Sequence, residues 1–248
     1  MDRLIYTSLA GMRGSMSRQT AIANNLANAQ TPGFRGDLAE AQSLWLNGGG
    51  AHGTRAMSSE EVIGADMRAG SVTATGRDLD IAMEADALLV VQAPDGEEAY
   101  TRRGDLQLSA SGLLTTGDGH PVQGAQGPVT IPAADSVRID AEGRVWFVPA
   151  GGDPENPQEA DRLRLATPAG SDIVKGLDNL FRVKDGGILP DDPEARVITR
   201  SIEGSNVSAT TALVDMIEAS KSWDNQLRLV SSARDMDNAT ANLMQLPR

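Results

Sequence analysis

Asn24–Phe34 reads NNLANAQTPGF and stands where a helical run stops. Asn is a mediocre helix former whose amide favours caps and turns. Three of them, at 24, 25 and 28, ahead of Thr31-Pro32-Gly33, therefore mark a helix end. Working back from there, Ile5, Leu9, Met12, Met16, Gln19, Ala23 and Leu26 recur at spacings of four and three, a narrow seam of heptad type. Gly11 and Gly14 each weaken such a helix by roughly 1 kcal/mol relative to Ala, so it needs a packing partner. At ~1.5 Å per residue the rod is about 40 Å long.

The far end of the chain reads the same way. Asn206 or Ser208 can cap a helix, and Leu213, Met216, Ser220, Trp223, Leu227 and Val230 continue the three-four spacing. Met236, Ala239 and Leu243 follow with a shifted phase. Each stripe is too thin for a globular core and suits helix-on-helix packing. Pairing of the two helices inside one chain satisfies the same pattern.

Between the helices the punctuation changes. Pro94-Asp95-Gly96, Ser111-Gly112 and Glu142-Gly143 separate short strand-like runs, with Val137, Ile139, Val145 and Phe147 alternating around the last turn and Leu163 and Leu165 in a further run. Hairpins at this density predict an antiparallel β domain over 70–203. Residues 36–69 read as an extended linker that begins with a short Ala/Gln/Leu helical piece, and 149–161 as a long polar loop. The fold class expected is α+β, mainly β: an antiparallel β domain flanked by paired long helices formed by 1–35 and 204–248.

Composition narrows the function. The 248 residues carry a net charge of -12 and 3% aromatic residues. Such acidity argues against nucleic acid and anionic membrane surfaces as partners. Residues 37–203 hold 28 of the 34 acids but only 14 of the 22 bases. Self-association through nearly neutral ends, with an acidic middle facing water, fits that distribution. The absence of cysteine removes disulfides, thiolate metal sites and a cysteine nucleophile. No apolar run approaches the ~20 residues of a membrane span, and MDRLIYTSLAGMRGSM lacks the pattern of a cleaved signal peptide.

Chemistry is sparse. His52 lies in a Gly-rich stretch and His120 in a Gly-Asp-Gly-His turn, neither with a second histidine at metal-ligand spacing. Asp78 and Asp80 would share one face of a strand, an arrangement that can bind a cation or simply line a polar edge. Asp191, Asp192 and Glu194, interrupted by Pro190 and Pro193, read as a solvated loop. No phosphate loop, nucleophile elbow or dinucleotide fingerprint occurs. No catalytic residue, cofactor or metal is expected.

NNLANAQTPGF resembles the N-terminal signature of the bacterial flagellar rod and hook axial proteins, with Asn24, Asn25, Leu26, Ala27, Asn28, Thr31, Pro32, Gly33 and Phe34 matching. EGSNV at 203–207 and the helix after it look like that family's C-terminal element. GSVTATGRDLDIAMEADALLVV and YTRRGDLQLSASGLLTTGDGHPVQG resemble its shared β domain. DALLVVQ at 86–92 replaces the Gly-Phe-Phe-like stretch usual in distal rod and hook members, and looks closest to the proximal-rod members. The resemblance implies an axial subunit of the basal-body rod that crosses the periplasm, exported by the flagellar type III apparatus. Its partners would be itself and other rod subunits in a helical tube. It implies an assembly interface from Ile5, Leu9, Met12, Met16, Asn24, Asn25, Leu26, Asn28, Pro32, Gly33 and Phe34, with Asn206, Leu213, Met216, Trp223, Leu227 and Val230. In that reading the asparagine amides satisfy backbone groups of adjacent chains. The competing reading is a β-domain binding module or hydrolase with helical tails.

Overall fold

In the computed structural model, residues 2–45, 56–168 and 170–244 are described, with side chains for 11–38, 64–168, 170–236 and 239. Helix α1 spans Asp2–Ala27, strands β1 and β2 span Asp37–Trp45 and Ala56–Ala65, and helix α2 spans Ala209–Met244. These elements form one compact unit, and residues 28–36 with 67–206 form a second. The chain is mainly β, with antiparallel pairing throughout its ladders and one helix toward each end.

In the first unit α1 packs against α2 and against the β1–β2 hairpin. The hairpin corrects the expectation of an extended linker with a helical start: Asp37 pairs with Ala65 and Trp45 with Ala56 across a ladder with one register shift. DLAEAQSLW is rich in good helix formers, and tertiary pairing overrides that propensity. The reason is visible at its first residue. Asn25 accepts the Asp37 N–H through Oδ1 (2.7 Å) and donates through Nδ2 to the Asp37 carbonyl (2.9 Å). Asn24 Nδ2 donates to the Asp37 carboxylate (2.6 Å). An asparagine amide engaging both backbone groups of one residue mimics a strand edge and starts that residue extended. Asn24 and Asn25 thus answer to a strand of their own chain. His52 falls outside the described residues.

The second unit is a β fold. Its strands are β3 (Val72–Ala74), β4 (Ile81–Met83), β5 (Leu88–Gln92), β6 (Glu98–Thr101), β7 (Gln107–Leu108), β8 (Leu114–Thr115), β9 (Gln123–Gly124) and β10 (Gly127–Pro128). There follow β11 (Ala134–Ile139), β12 (Arg144–Pro149), β13 (Gln158–Arg162), β14 (Leu165–Ala166), β15 (Ile173–Lys175), β16 (Phe181–Val183), β17 (Val197–Thr199) and β18 (Ser201–Glu203). A five-stranded sheet runs β14-β5-β6-β16-β15, and a three-stranded one β11-β12-β13. The three turns read from sequence join β5 to β6, β7 to β8 and β11 to β12. The polar loop is shorter than expected, since Gln158–Arg162 pairs with β12 as a strand. Leu88, Leu89, Val90 and Val91 are all buried, as a central strand covered on both faces requires. Leu89 and Val91 share a core with Ile81, Leu106, Leu114, Val122, Val145 and Leu165.

Candidate assembly surface

The signature loop is seated in the β unit. After α1, Thr31 N–H closes a turn on the Asn28 carbonyl, and Thr31 Oγ1 donates to Asn28 Oδ1. Gly33 then donates its N–H to the Glu203 carbonyl (2.7 Å) at a φ of 67°. A Cβ at this position would overlap the Arg102 carbonyl, so only glycine fits. Phe34 is buried, with the Lys175 ammonium 3.8 Å from its ring centroid. Lys175 Nζ also donates to the Arg35 carbonyl (2.8 Å).

Behind this seat lies a buried charge cluster. Glu203 is 1% exposed and stands between Arg35 and Arg102, each 2.7 Å away. Arg102 directs its remaining donors to the carbonyls of Met83, Ala85 and Ala87 (2.7–2.9 Å). Glu203 Oε1 also accepts the N–H of Gly70 (2.8 Å), where a Cβ would collide with the Gly204 carbonyl. Burial raises the Glu203 pKa, but the two guanidiniums and the Gly70 N–H outweigh it and hold the carboxyl below its ordinary range. Burial lowers the Arg102 pKa despite the opposing Glu203 charge. Asn206 completes the seat: its Oδ1 accepts the Gly36 N–H and its Nδ2 donates to the Arg68 carbonyl. It is therefore not the cap of α2. Ser208 caps instead, with its carbonyl receiving Ala212 N–H (2.9 Å) and its Oγ receiving Thr211 N–H (3.4 Å).

Replacing Gly33 by Ala forces both an unfavourable φ and a backbone overlap. The expected loss is about 2–4 kcal/mol of β-unit stability, read as a lower urea midpoint; an unchanged midpoint would show that the seat yields.

In the helical unit the row that α2 withdraws from solvent is Ala212, Met216, Ala219, Trp223, Gln226, Val230 and Ala233. Its alternating spacing of four and three is the heptad seam, and Gln226 Nε2 donates to Ser15 Oγ on α1 (3.0 Å). Of the residues expected in one seam, Met216, Trp223 and Val230 lie in it, whereas Leu213 and Leu227 lie outside it and are exposed. Val214, Ile217, Leu229 and Met236 are exposed too. Among the α1 side chains described, the buried positions are Gly14, Ser15, Ala21 and Ile22. Met12 and Leu26 are half-buried, and Met16 is 61% exposed. On α2 the seam thus mixes small residues (Ala212, Ala219, Ala233) with Met216, Trp223 and Val230, and ranking by apolar size alone added Leu213 and Leu227, which lie on its flank. Ile5 and Leu9 belong to α1, with side chains outside the described set.

The polar candidates have partners of their own. Asp78 pairs with Arg200 (2.6 Å) and Asp80 with Arg77 (3.1 Å), while Thr75 Oγ1 donates to Asp80 (2.7 Å). Asp191 meets Arg164 (2.7 Å). Asp192 accepts from Thr167 Oγ1 and from the N–H groups of Glu194 and Ala195, as a turn cap does. Among the described residues no group of three or more His, Asp or Glu is placed to hold a metal, and no helix is long and apolar enough to cross a membrane.

Comparison with known proteins places these features. Residues 5–35 match the profile described as flagella basal body rod protein. Residues 82–147 match the D1 domain of the flagellar hook protein FlgE/F/G, and 199–243 the C-terminal part of the flagellar basal body rod FlgEFG protein. The chain is 34% identical to flagellar basal-body rod protein FlgF of Salmonella typhimurium, covering 99% of this chain and 100% of that one. The chain belongs to the flagellar basal-body rod proteins. Flagellar basal-body rod protein FlgF of Escherichia coli is 35% identical with the same coverage. Flagellar basal-body rod protein FlgG of Bacillus subtilis is 29% identical over 98% of this chain and 99% of its own. Among rod proteins this one is therefore FlgF-like. The family is structural rather than enzymatic, and its members assemble with other rod subunits in the basal body. Glu203 entered the sequence reading only as the first residue of EGSNV, and its cluster with Arg35 and Arg102 was not foreseen: 67 and 101 positions separate the three, and no periodicity links such residues.

Proposed function

We propose that this chain is a FlgF-like proximal-rod subunit that polymerises through its terminal helices into the shaft transmitting torque. The observation that carries this is the set of apolar side chains exposed on the two helices outside the intrachain seam: Met16, Leu213, Val214, Ile217, Leu227 and Leu229. A helix pair whose seam is already filled has no internal use for these side chains, and neighbouring helices of a tube would cover them. Export proceeds through the flagellar type III apparatus without a cleaved signal, and the subunit neither inserts in the membrane nor binds nucleic acid. It performs no catalysis and needs no cofactor.

Leu227→Asp tests the reading. The side chain is 44% exposed, so the isolated chain should keep its stability within about 0.5 kcal/mol. Inside a packed helical layer a carboxylate costs several kcal/mol in every copy. The variant should be exported at normal levels, stay out of purified basal bodies and leave cells non-motile. Normal rods containing Leu227→Asp would falsify the helical assembly surface.

A further inference from the structure

Trp146 is the one tryptophan of the β unit, and it does not join the core. Its neighbours on β12, Val145 and Phe147, are buried in the hydrophobic cluster, which puts Trp146 on the opposite face of the β11-β12-β13 sheet. The pairing of β12 with β13 shifts register between Val145 and Trp146, an irregularity of the kind that re-aims a side chain. The indole is then fixed in place. Its Nε1–H donates to Asp140 Oδ2 (2.9 Å), while Asp140 Oδ1 accepts the N–H groups of Glu142 and Arg144 (3.0 and 2.9 Å). Burial raises the Asp140 pKa, but these donors outweigh it and hold the carboxyl below its ordinary range.

Trp146 lines a cleft of about 370 Å³, within the size range of small-ligand sites. Pro154 and Pro157, from the loop between β12 and β13, line it too, and Ser136, Arg138 and Glu155 supply its polar groups. Those three residues are exposed, and their side chains have no partner among the described residues. The cleft therefore offers a half-buried ring of set orientation, a hydroxyl, one guanidinium and one carboxylate.

One group of each sign asks for no net charge on a ligand. Residues 37–203, with 28 acids against 14 bases, repel a polyanion. The matching ligand is neutral, carries groups that both donate and accept, and has an apolar face for the indole. A sugar ring has all three: hydroxyl groups around its rim and C–H groups on its face. A polyproline segment fits less well, because such segments dock in grooves lined by aromatic residues, and Trp146 is the only aromatic residue on this face of the three strands. We infer that the cleft binds a neutral glycan chain, one ring stacking on Trp146 while Ser136, Arg138 and Glu155 bond its hydroxyl groups. The uncharged sugar backbone of the cell wall is the source, a clause that rests on the rod-subunit reading, which places the chain in the periplasm.

The test titrates the purified full chain with an oligomer of β-1,4-linked N-acetylglucosamine, followed by calorimetry and tryptophan fluorescence. The wild type should bind saturably at one site. Trp146→Ala and the double variant Ser136→Ala/Arg138→Ala should each weaken binding at least about tenfold. The double variant alters only exposed side chains without partners, so it should keep the wild-type urea midpoint and reads the site even where Trp146→Ala fails to fold. No saturable binding by the wild type, or undiminished binding by the double variant, overturns the site. Saturation by an oligoproline in place of the glycan overturns the ligand class. Binding by the purified chain does not depend on assembly; absence of the chain from purified basal bodies would instead overturn the rod reading, and with it the cell-wall source.

Discussion

Glu203→Gln is expected to destabilise the β unit by about 3–5 kcal/mol, the range found when one partner of a buried ion pair is removed. The amide retains the shape and can still accept the Gly70 N–H. It leaves the Arg35 and Arg102 guanidiniums, both almost fully buried, without the carboxylate that lies 2.7 Å from each. Arg102 remains held by the Met83, Ala85 and Ala87 carbonyls and cannot turn out to water without abandoning them. The effect has a defined pH course. The folded Glu203 carboxyl titrates below its unfolded value because the two guanidiniums outweigh burial. Its contribution is therefore complete above the unfolded pKa of about 4.3 and disappears as pH falls through the depressed folded value. Urea midpoints of wild type and Glu203→Gln should differ widely at neutral pH and converge in acid. Equal midpoints at neutral pH would mean the cluster is not what ties Gly33–Arg35 to β18.

How far sequence alone reached depends on the range of the forces involved. Turns such as Glu142-Gly143 and the alternation around them are local, and each recurs in the structure as a β-hairpin. The two helices are local as well, down to their three-four spacing. The α2 seam was read in part: Met216, Trp223 and Val230 lie in it, whereas ranking by apolar size put Leu213 and Leu227 where Ala212, Ala219, Gln226 and Ala233 stand. Met16 on α1, large and apolar, is exposed as well. The stretch from Asp37 shows the opposite failure. Its composition is helical, and only the Asn24 and Asn25 amides and the β2 partner make it a strand. Both asparagines were visible as anomalies in a helix end, but their target lay 12 and 13 residues away. The Arg35–Glu203–Arg102 cluster is the least legible part, since only the finished fold brings these three side chains together.

Ending the chain after Asn206 should abolish motility while leaving export intact. The cut point follows from the hydrogen bonds: Asn206 belongs to the β unit through Gly36 and Arg68, whereas Ser208 opens α2. A chain ending at 206 thus keeps Arg35, Gly70, Arg102 and Glu203 and the Asn206 bonds to Gly36 and Arg68, and its β unit should unfold at the wild-type urea concentration. What it loses is the whole of α2, including the Ala212–Ala233 seam and the exposed Leu213, Ile217 and Leu227. On α1, Ser15 loses its Gln226 partner, and isolated helices of this composition are marginal in water. The truncated subunit can offer neither a formed helix pair nor the apolar row beside it. The acidic β unit does not rescue assembly, because like-charged neighbours repel across its surface. In the proposed reading export draws on the N-terminal segment, which is untouched. A motility assay paired with blots of the secreted fraction and of purified basal bodies reads all three consequences. Motile cells, or a truncated chain found within rods, would place the assembly surface somewhere other than α2.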